Sequence, residues 1–232
     1  MGADSFESPI VKRDKGKKMK KKIKLDIVSD VVCPWCIVGY QHLKAAIDEL
    51  GMQDQVEIEW QPFELNPDMP AEGEGLREHI ARKYGSSAEE SARARENITA
   101  QGAAHGFEFK YFDDMKMVNT FEAHILLEYA KEMGKQTELK LRLFSAFFTE
   151  QKDISNRSIL IEELNSIGLN GAEGIRRLDD KEHRDDVRTA ENHWTQLGVT
   201  SVPTVVFNRT SALSGAHPVE TFKQVLTELA QE

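Results

Sequence analysis

The sequence predicts an α/β protein in which both ends of the chain contribute to one sheet and a large all-helical insertion lies between them. Two observations lead to this prediction. Short apolar runs bounded by turn residues, which are typical of strands, occur at residues 23–29 and 56–61 and again at 203–207 and 212–214. Between them, apolar residues recur at helical spacing over most of residues 66–185. Strands at both ends can share a sheet only if the helical block is an insertion.

The first part of the chain is predicted to pass from strand to helix to strand. Apolar residues from Ile23 alternate with polar ones and then run together, which indicates a strand that becomes buried. The segment Cys-Pro-Trp-Cys at residues 33–36 follows, and apolar residues then recur at helical spacing up to Gly51, a typical helix stop. A second strand at 56–61 leads into a loop marked by prolines. The two cysteines therefore lie where a strand passes into a helix.

The middle of the chain is predicted to be helical, and its C-terminal part returns to strands. Glycine, asparagine or short polar segments separate seven amphipathic helices, at residues 76–84, 88–104, 120–133, 137–151, 157–167, 172–178 and 182–197. The two late strands then precede a helix at 218–230 with a proline near its start. We divide the chain into a leader (1–22), a sheet domain in two parts (23–65 and 186–232) and the helical insertion (66–185).

Length and composition exclude several classes of protein. Of the 232 residues, 40% are hydrophobic, which is enough for a packed core and excludes a fully disordered chain. No apolar run approaches the roughly 18 residues of a membrane helix, and the N-terminus lacks the apolar core of a signal peptide. With two cysteines, the chain cannot be a disulfide-rich scaffold. We expect a soluble, cytoplasmic protein that does not bind membranes.

The net charge of −9 is unevenly distributed along the chain. Residues 1–24 hold nine basic and three acidic residues, so they carry +6 and the remainder carries −15. An acidic body repels phosphate backbones, and a lysine-rich leader is most often a solvated segment. We therefore expect residues 1–22 to be disordered and the protein not to bind nucleic acid.

The Cys-Pro-Trp-Cys segment has the spacing and position of a redox pair. Cys33 and Cys36 lie within one helical turn, close to the roughly 4.4–6.8 Å Cα separation that a disulfide accepts. Free amides and the positive end of the helix dipole favour the thiolate of Cys33, which we predict to be the nucleophile. Cys36 would resolve the mixed disulfide. Pro34 fits the first helical turn because it has no N–H. For Trp35 we consider two roles: contact with an incoming thiol or peptide, or ordinary packing against neighbouring residues.

Three other interpretations of the cysteine pair compete with redox catalysis: half of a zinc site, two inert buried thiols, and a static disulfide. A zinc site is disfavoured because the chain has no third cysteine and its seven histidines show no convincing ligand spacing. Inert thiols seldom lie at a strand-to-helix junction, and cytosolic glutathione reduces all but the most stable disulfides. We favour redox catalysis without a bound metal.

Several segments together resemble the DsbA-like branch of the thioredoxin superfamily, and within it the FrnE-like group. They are Ser-Asp-Val-Val-Cys-Pro-Trp-Cys at 29–36, Pro-Phe-Glu-Leu-Asn-Pro-Asp-Met-Pro at 62–70, Asn-Thr at 119–120, Ala-His at 123–124, Gly-Val-Thr-Ser-Val-Pro-Thr at 198–204 and Ser-Gly-Ala at 214–216. The resemblance extends over about residues 22–232. It implies a thioredoxin-like fold with a helical insertion and a thiol-disulfide oxidoreductase acting on protein or small-molecule thiols and disulfides. It implies no bound cofactor and admits glutathione as a co-substrate.

The resemblance also implies a role for Pro203. In this family a cis proline lies against the two sulfurs, and here the neighbouring Val202 and Thr204 would help it to shape the substrate-binding site. An X-Pro bond is the ordinary place for a cis peptide, and the backbone of Val202 is able to pair with a substrate strand. His124 lies on a predicted helix among apolar residues, where a core histidine is the simpler interpretation and a substrate contact is the alternative.

Two other functions compete with dithiol exchange. One is a glutathione-dependent transferase or isomerase of the kappa-class-like branch, in which Cys33 would bind or activate glutathione and the insertion would hold a small apolar ligand. The other is a redox-sensitive chaperone or binding protein that uses an apolar groove of the insertion without turnover. Kappa-class relatives usually carry a serine at the first cysteine position, so the retained thiols Cys33 and Cys36 favour dithiol chemistry.

Overall fold

The computed structural model describes residues 22–231, so the predicted disordered leader lies outside the described residues except for Lys22. The strands are β1 (Ile23–Ser29), β2 (Val56–Pro62), β3 (Glu74–Gly75), β4 (Lys116–Met117), β5 (Thr204–Phe207) and β6 (Ser211–Ser214). The helices are α1 (Pro34–Glu49), α2 (Leu76–Tyr84), α3 (Ala88–Ala104), α4 (Phe121–Glu132), α5 (Gln136–Phe148), α6 (Arg157–Ser166), α7 (Gly171–Asp179), α8 (Lys181–Gln196) and α9 (Val219–Leu229).

Strands from both ends of the chain form one four-stranded sheet in the order β2-β1-β5-β6. β1 pairs with β2 in parallel, with Ile23 opposite Val56. It pairs with β5 in the antiparallel sense, with Leu25 opposite Phe207, and β6 continues the antiparallel part. β1 is therefore an inner strand, and the segment that follows it begins near the middle of the sheet.

Helices cover both faces of this sheet. α1 packs beside α9, and Leu25 and Ile27 of β1 belong to the main core together with side chains from these two helices. Val28 of β1 instead packs with Val206 and with Trp194 of α8. Because neighbouring residues of a strand point to opposite faces, this alternation shows that β1 is sandwiched between two layers of helix.

The insertion extends the same core. Helices α4 to α7 pack on one another, and α4 and α5 also contact β2. α2 packs on α3 and on a short antiparallel ribbon formed by β3 and β4. The insertion is helical apart from this ribbon, which the sequence did not predict because strands of two residues are too short to show an alternating pattern.

The predicted α/β fold with a helical insertion is confirmed. Each predicted helix and strand has a counterpart in the structure, and the ends differ by a few residues at most. The boundary that we placed between residues 185 and 186 falls inside the continuous helix α8. The division into domains otherwise stays a prediction. Among residues 22–231, no helix combines the length and the apolar character needed to cross a membrane.

Candidate active site

Cys33 and Cys36 lie at the beginning of α1, shortly after the end of β1. Cys33 is the N-cap residue and Pro34 is the first residue of the helix, where its missing N–H costs no hydrogen bond. No side chain caps this end of the helix. Both cysteines are free thiols; Cys33 is 4% exposed and Cys36 is 0% exposed. Cys33 is thus the more accessible of the two.

The loop that precedes β5 lies against Cys33. The Val202–Pro203 peptide bond is cis. The Val202 carbonyl oxygen lies 3.7 Å from Cys33 Sγ, where it accepts a hydrogen bond from the thiol. The hydroxyl of Thr204 donates to the Ser201 carbonyl at 2.8 Å and so holds the turn between them. The fold therefore brings together residues that are 169 positions apart in the chain.

The close approach of α1 to this loop depends on Gly39. A Cβ atom at Gly39 would lie 3.1 Å from Cγ of Pro203 and 3.3 Å from Cα of Ala216. Both distances are tighter than nine in ten real Cβ contacts. A glycine at this position thus lets the helix that carries the dithiol lie directly on the Pro203 loop, a role that the sequence analysis did not assign to it.

Asp30 is a buried acid close to the dithiol. Its Oδ2 accepts a hydrogen bond from the Leu65 amide at 2.7 Å, and its Oδ1 lies 3.5 Å from Nε2 of His124. Burial raises the pKa of Asp30, but the adjacent His124 and the hydrogen bond from the Leu65 amide outweigh it, so the pKa lies below its ordinary value. Asp30 therefore holds a negative charge in the interior.

Lys140 of α5 supplies a buried positive charge. Its side chain is completely buried, Nζ donates to the Ser29 carbonyl at 3.2 Å, and Nζ lies 5.3 Å from the ring centroids of Trp60 and Phe144. Burial lowers the pKa of Lys140 to about 8, although the charge of Cys36 acts in the opposite direction. At neutral pH most molecules therefore carry an ammonium group near the dithiol, stabilised by two aromatic faces.

The two thiols differ in acidity. Burial raises the pKa of Cys36, but the neighbouring Cys33 and Ser29 and the charge of Lys140 outweigh burial, so the pKa is lowered. The pKa of Cys33 lies well above its ordinary value because the adjacent Cys36 and burial both disfavour its thiolate. The pair therefore loses its first proton readily and retains the second. Transfer of the retained proton from Cys33 to Cys36 would move the charge to the more accessible sulfur.

This arrangement differs from the electrostatics expected from the sequence. We predicted that the helix terminus acidifies Cys33. In the structure the lowered pKa belongs to Cys36, and the charge of Lys140 on α5 contributes to it. The helix pattern could not reveal a cation that reaches the dithiol from another helix.

A cavity of about 930 Å³ opens on Cys33. The sheet domain contributes Cys33, Pro34, Trp35 and Val202 to its wall. The insertion contributes a mainly apolar set of side chains, Ile80, Tyr84, Ile98, Phe147 and Phe148. The volume is within the range of roughly 300–1,000 Å³ that is typical of sites for small molecules.

A charged cluster interrupts the apolar lining of this cavity. It consists of Glu64, which follows β2, and of Arg188 and Glu191 on α8. Arg188 donates to Glu64 Oε2 and, at 2.9 Å, to Glu191 Oε2. Its guanidinium also lies 3.8 Å from the ring centroid of Phe121. Burial and the charge of Glu191 raise the pKa of Glu64 to about 7, although Arg188 acts in the opposite direction.

The remaining predicted site residues do not all reach the cavity. Cys36, Pro203 and Thr204 are buried behind the residues that line it. His124 is 1% exposed, lies against Asp30 and is not part of the cavity wall, so within the described residues it has the position of a core histidine.

Comparisons with known proteins give a consistent result. A sequence model of the DSBA-like thioredoxin domain matches residues 24–227. The uncharacterized protein YwbO of Bacillus subtilis is 28% identical over 207 residues, which cover 89% of this chain and 96% of that protein. A probable DsbA oxidoreductase from Streptomyces coelicolor is 32% identical with a TM-score of 0.85, covering 90% of this chain and 91% of the other. The cytosolic disulfide reductase DsbM from Pseudomonas aeruginosa, solved with GSH, shares the fold at 16% identity and a TM-score of 0.62, covering 90% and 100%.

Proposed function

Since the chain belongs to the DSBA-like thioredoxin domain family and is a disulfide oxidoreductase of that kind, we propose that it acts through Cys33 and Cys36 on substrates bound in the large cavity. One observation carries this proposal. A reduced dithiol at a helix N-terminus reaches the cavity through Cys33, while Cys36 lies directly behind it. This arrangement separates an attacking thiol from a resolving thiol.

The first step is attack by Cys33. Its thiolate, formed when the retained proton moves to Cys36, attacks one sulfur of a substrate disulfide. A bond forms between Cys33 and that sulfur, the substrate disulfide breaks, and the released thiolate takes up a proton. The ammonium of Lys140 stabilises the negative charge of the pair before attack.

The second step releases the substrate. Cys36 loses its proton and its thiolate attacks Cys33, so that a Cys33–Cys36 disulfide forms and the second substrate thiol leaves. Two electrons have then passed from the protein dithiol to the substrate. The same steps in reverse oxidise a substrate dithiol. The Val202 carbonyl, which lies beside Cys33, is placed to pair with the backbone of an extended peptide substrate.

We propose protein and low-molecular-weight thiols and disulfides as partners, with glutathione as a co-substrate. The size of the cavity supports a small-molecule partner. The presence of GSH in the DsbM structure is in line with this choice. The cytoplasmic location predicted from the sequence stays a proposal, which fractionation of the producing cells would test.

A glutathione-dependent transferase or isomerase is the second candidate function, because the cavity beside Cys33 is mainly apolar and suits a small apolar ligand. In that reaction Cys36 would have no chemical role. Turnover of such a ligand with glutathione that persists in Cys36→Ser would favour this candidate over dithiol exchange.

Rapid-mixing kinetics tests the proposed function. The reduced protein is mixed with excess hydroxyethyl disulfide, and its oxidation is followed through the fluorescence of Trp35 beside the dithiol. Wild type should lose two thiols per chain, Cys36→Ser should stop at a mixed disulfide, and Cys33→Ser should react at least 100-fold more slowly. Equal rates for wild type and Cys33→Ser would overturn the proposal.

A further inference from the structure

The cluster of Glu64, Arg188 and Glu191 carries more negative charge than its own residues neutralise. Two carboxylates face one guanidinium, which contacts both of them. The side chain of Glu64 is 2% exposed and that of Glu191 is 12% exposed, so water reaches neither carboxylate freely. The cavity wall near Cys33 therefore contains a partly uncompensated negative charge.

The carboxylates also leave hydrogen-bonding capacity unused. Oε1 of Glu64 and Oε1 of Glu191 are buried, and neither accepts a hydrogen bond from any of the residues 22–231. A buried acceptor without a donor costs free energy, and the cost is greater when the acceptor is charged. Since both residues line the cavity, a bound molecule is in position to supply the missing donors.

Lys83 also lines the cavity, but its hydrogen bonds go to acceptors other than Glu64 and Glu191. Lys83 donates at 2.7 Å to both the Leu65 carbonyl and Asn66 Oδ1. Asp30 adds a further negative charge that raises the pKa of Glu64. A cationic group with several hydrogen-bond donors would therefore be attracted here.

A primary ammonium group meets these requirements, because it carries one positive charge and three hydrogen-bond donors. We propose that Glu64, Glu191 and Arg188 form a subsite for the ammonium group of a low-molecular-weight thiol or disulfide whose sulfur reacts with Cys33. The inference rests on the proposed function, since the subsite and the reactive sulfur line the same cavity. It narrows the substrate class to small aminothiols, among which are glutathione and cysteamine.

Two pairs of disulfides test the subsite. Each pair differs in the ammonium group: glutathione disulfide against its N-acetylated form, and cystamine against hydroxyethyl disulfide. The rate of oxidation of the reduced protein by each compound is divided by the rate with free dithiothreitol, which removes differences in intrinsic reactivity. In wild type at least one ammonium compound should react roughly tenfold faster than its partner on this scale.

Variants locate the effect. The ratio of the two rates within a pair should fall close to one in Glu64→Gln and in Glu191→Gln. The control is Glu182→Gln, which removes an exposed carboxylate from the same helix as Glu191 and should retain the wild-type ratio. Discrimination only in the glutathione pair identifies the γ-glutamyl ammonium as the ligand group. Discrimination only in the cystamine pair identifies a short aminothiol.

A binding measurement separates failure of the subsite from failure of the redox reaction. Calorimetric titration compares S-methylglutathione with N-acetyl-S-methylglutathione, neither of which can exchange a disulfide. S-methylcysteamine and methyl 2-hydroxyethyl sulfide are compared in the same way. Ratios close to one in both disulfide pairs, with active oxidation by hydroxyethyl disulfide, would overturn the subsite and leave the proposed function intact. If no disulfide reacts, the proposed function fails. The thioether titrations then decide the subsite separately: equal binding, or no binding, within both pairs would overturn it as well.

Discussion

In the proposed mechanism the two thiols divide the requirements of disulfide exchange between them, since Cys33 has access to the cavity and Cys36 has the lowered pKa. A nucleophile needs both exposure and negative charge. The retained proton connects the two sulfurs, because its position decides which of them carries the charge. Lys140 lowers the cost of that charge for the pair as a whole, although α5 is remote in sequence from α1.

Replacing Lys140 by methionine should make the dithiol harder to ionise. Methionine occupies a similar buried volume but has no charge, so the pH at which the pair loses its first proton should rise by roughly one unit. The pH dependence of alkylation by iodoacetamide measures this midpoint. Lys44→Met, which removes an exposed lysine of α1, serves as the control. An unchanged midpoint in Lys140→Met would refute the role of Lys140.

Glu64 couples the stability of the protein to pH. Its pKa of about 7 in the folded protein exceeds the value of roughly 4.3 for an exposed glutamate. Between these values the folded state holds a proton that the unfolded state has lost, so the free energy of unfolding falls as the pH rises. The contribution is on the order of 3 kcal/mol, because one pKa unit corresponds to about 1.4 kcal/mol.

Urea unfolding of wild type and Glu64→Gln at several pH values between 4 and 8 measures this contribution. The free energy of unfolding of wild type minus that of the variant should decrease as the pH rises through this range. Glu182→Gln, which removes an exposed carboxylate from α8, serves as the control. A wild-type advantage over Glu64→Gln that grows with pH would contradict the raised pKa.

At the scale of secondary structure, the site depends on where elements end and on how closely they approach. β1 ends at Ser29, and α1 begins four residues after Asp30, so the dithiol lies at the helix N-terminus beside the sheet. β5 begins at Thr204, which places the Val202 carbonyl against Cys33. The contact between α1 and this second loop requires the absence of a side chain at Gly39.

A valine at position 39 should force α1 and the Pro203 loop apart. Added volume at such a contact costs roughly 1–3 kcal/mol of stability and should also slow thiol exchange, because Val202 would move relative to Cys33. Urea unfolding and the rate of oxidation by hydroxyethyl disulfide measure the two effects. Lys44→Val controls for the cost of a β-branched residue in α1. Wild-type values of both quantities in Gly39→Val would show that the close contact is unimportant.

In the whole molecule, residues near the sheet and residues of the insertion together line the large cavity. The order of strands and helices was predictable from the sequence, because hydrophobic periodicity and turn residues are local signals. The dithiol was predictable for the same reason, because the spacing of the two cysteines and their place between a strand and a helix are also local features. The meeting of Cys33 with Val202 rested on the family resemblance, because no local pattern connects residues so far apart.

The buried charges could not be predicted in the same way. Lys140 lies between Leu139 and Leu143 on an apolar helix face, a pattern that indicates a buried lysine. Which groups surround its ammonium depends on how the helices pack, and the pattern does not give that. Glu64 was part of a segment used for the resemblance, yet its contact with α8 joins positions 124 residues apart. Periodicity gives the face of a helix but not the element that packs on it.

Mass spectrometry of the trapped intermediate tests the central claim most directly, namely that Cys33 attacks and Cys36 resolves. Reduced Cys36→Ser and Cys33→Ser are each mixed briefly with hydroxyethyl disulfide, quenched with acid and digested. The account predicts a mercaptoethanol adduct on Cys33 in Cys36→Ser and almost none on Cys36 in Cys33→Ser, because Cys36 is completely buried. Rapid formation of the adduct on Cys36, with Cys33 unmodified in the other variant, would contradict it.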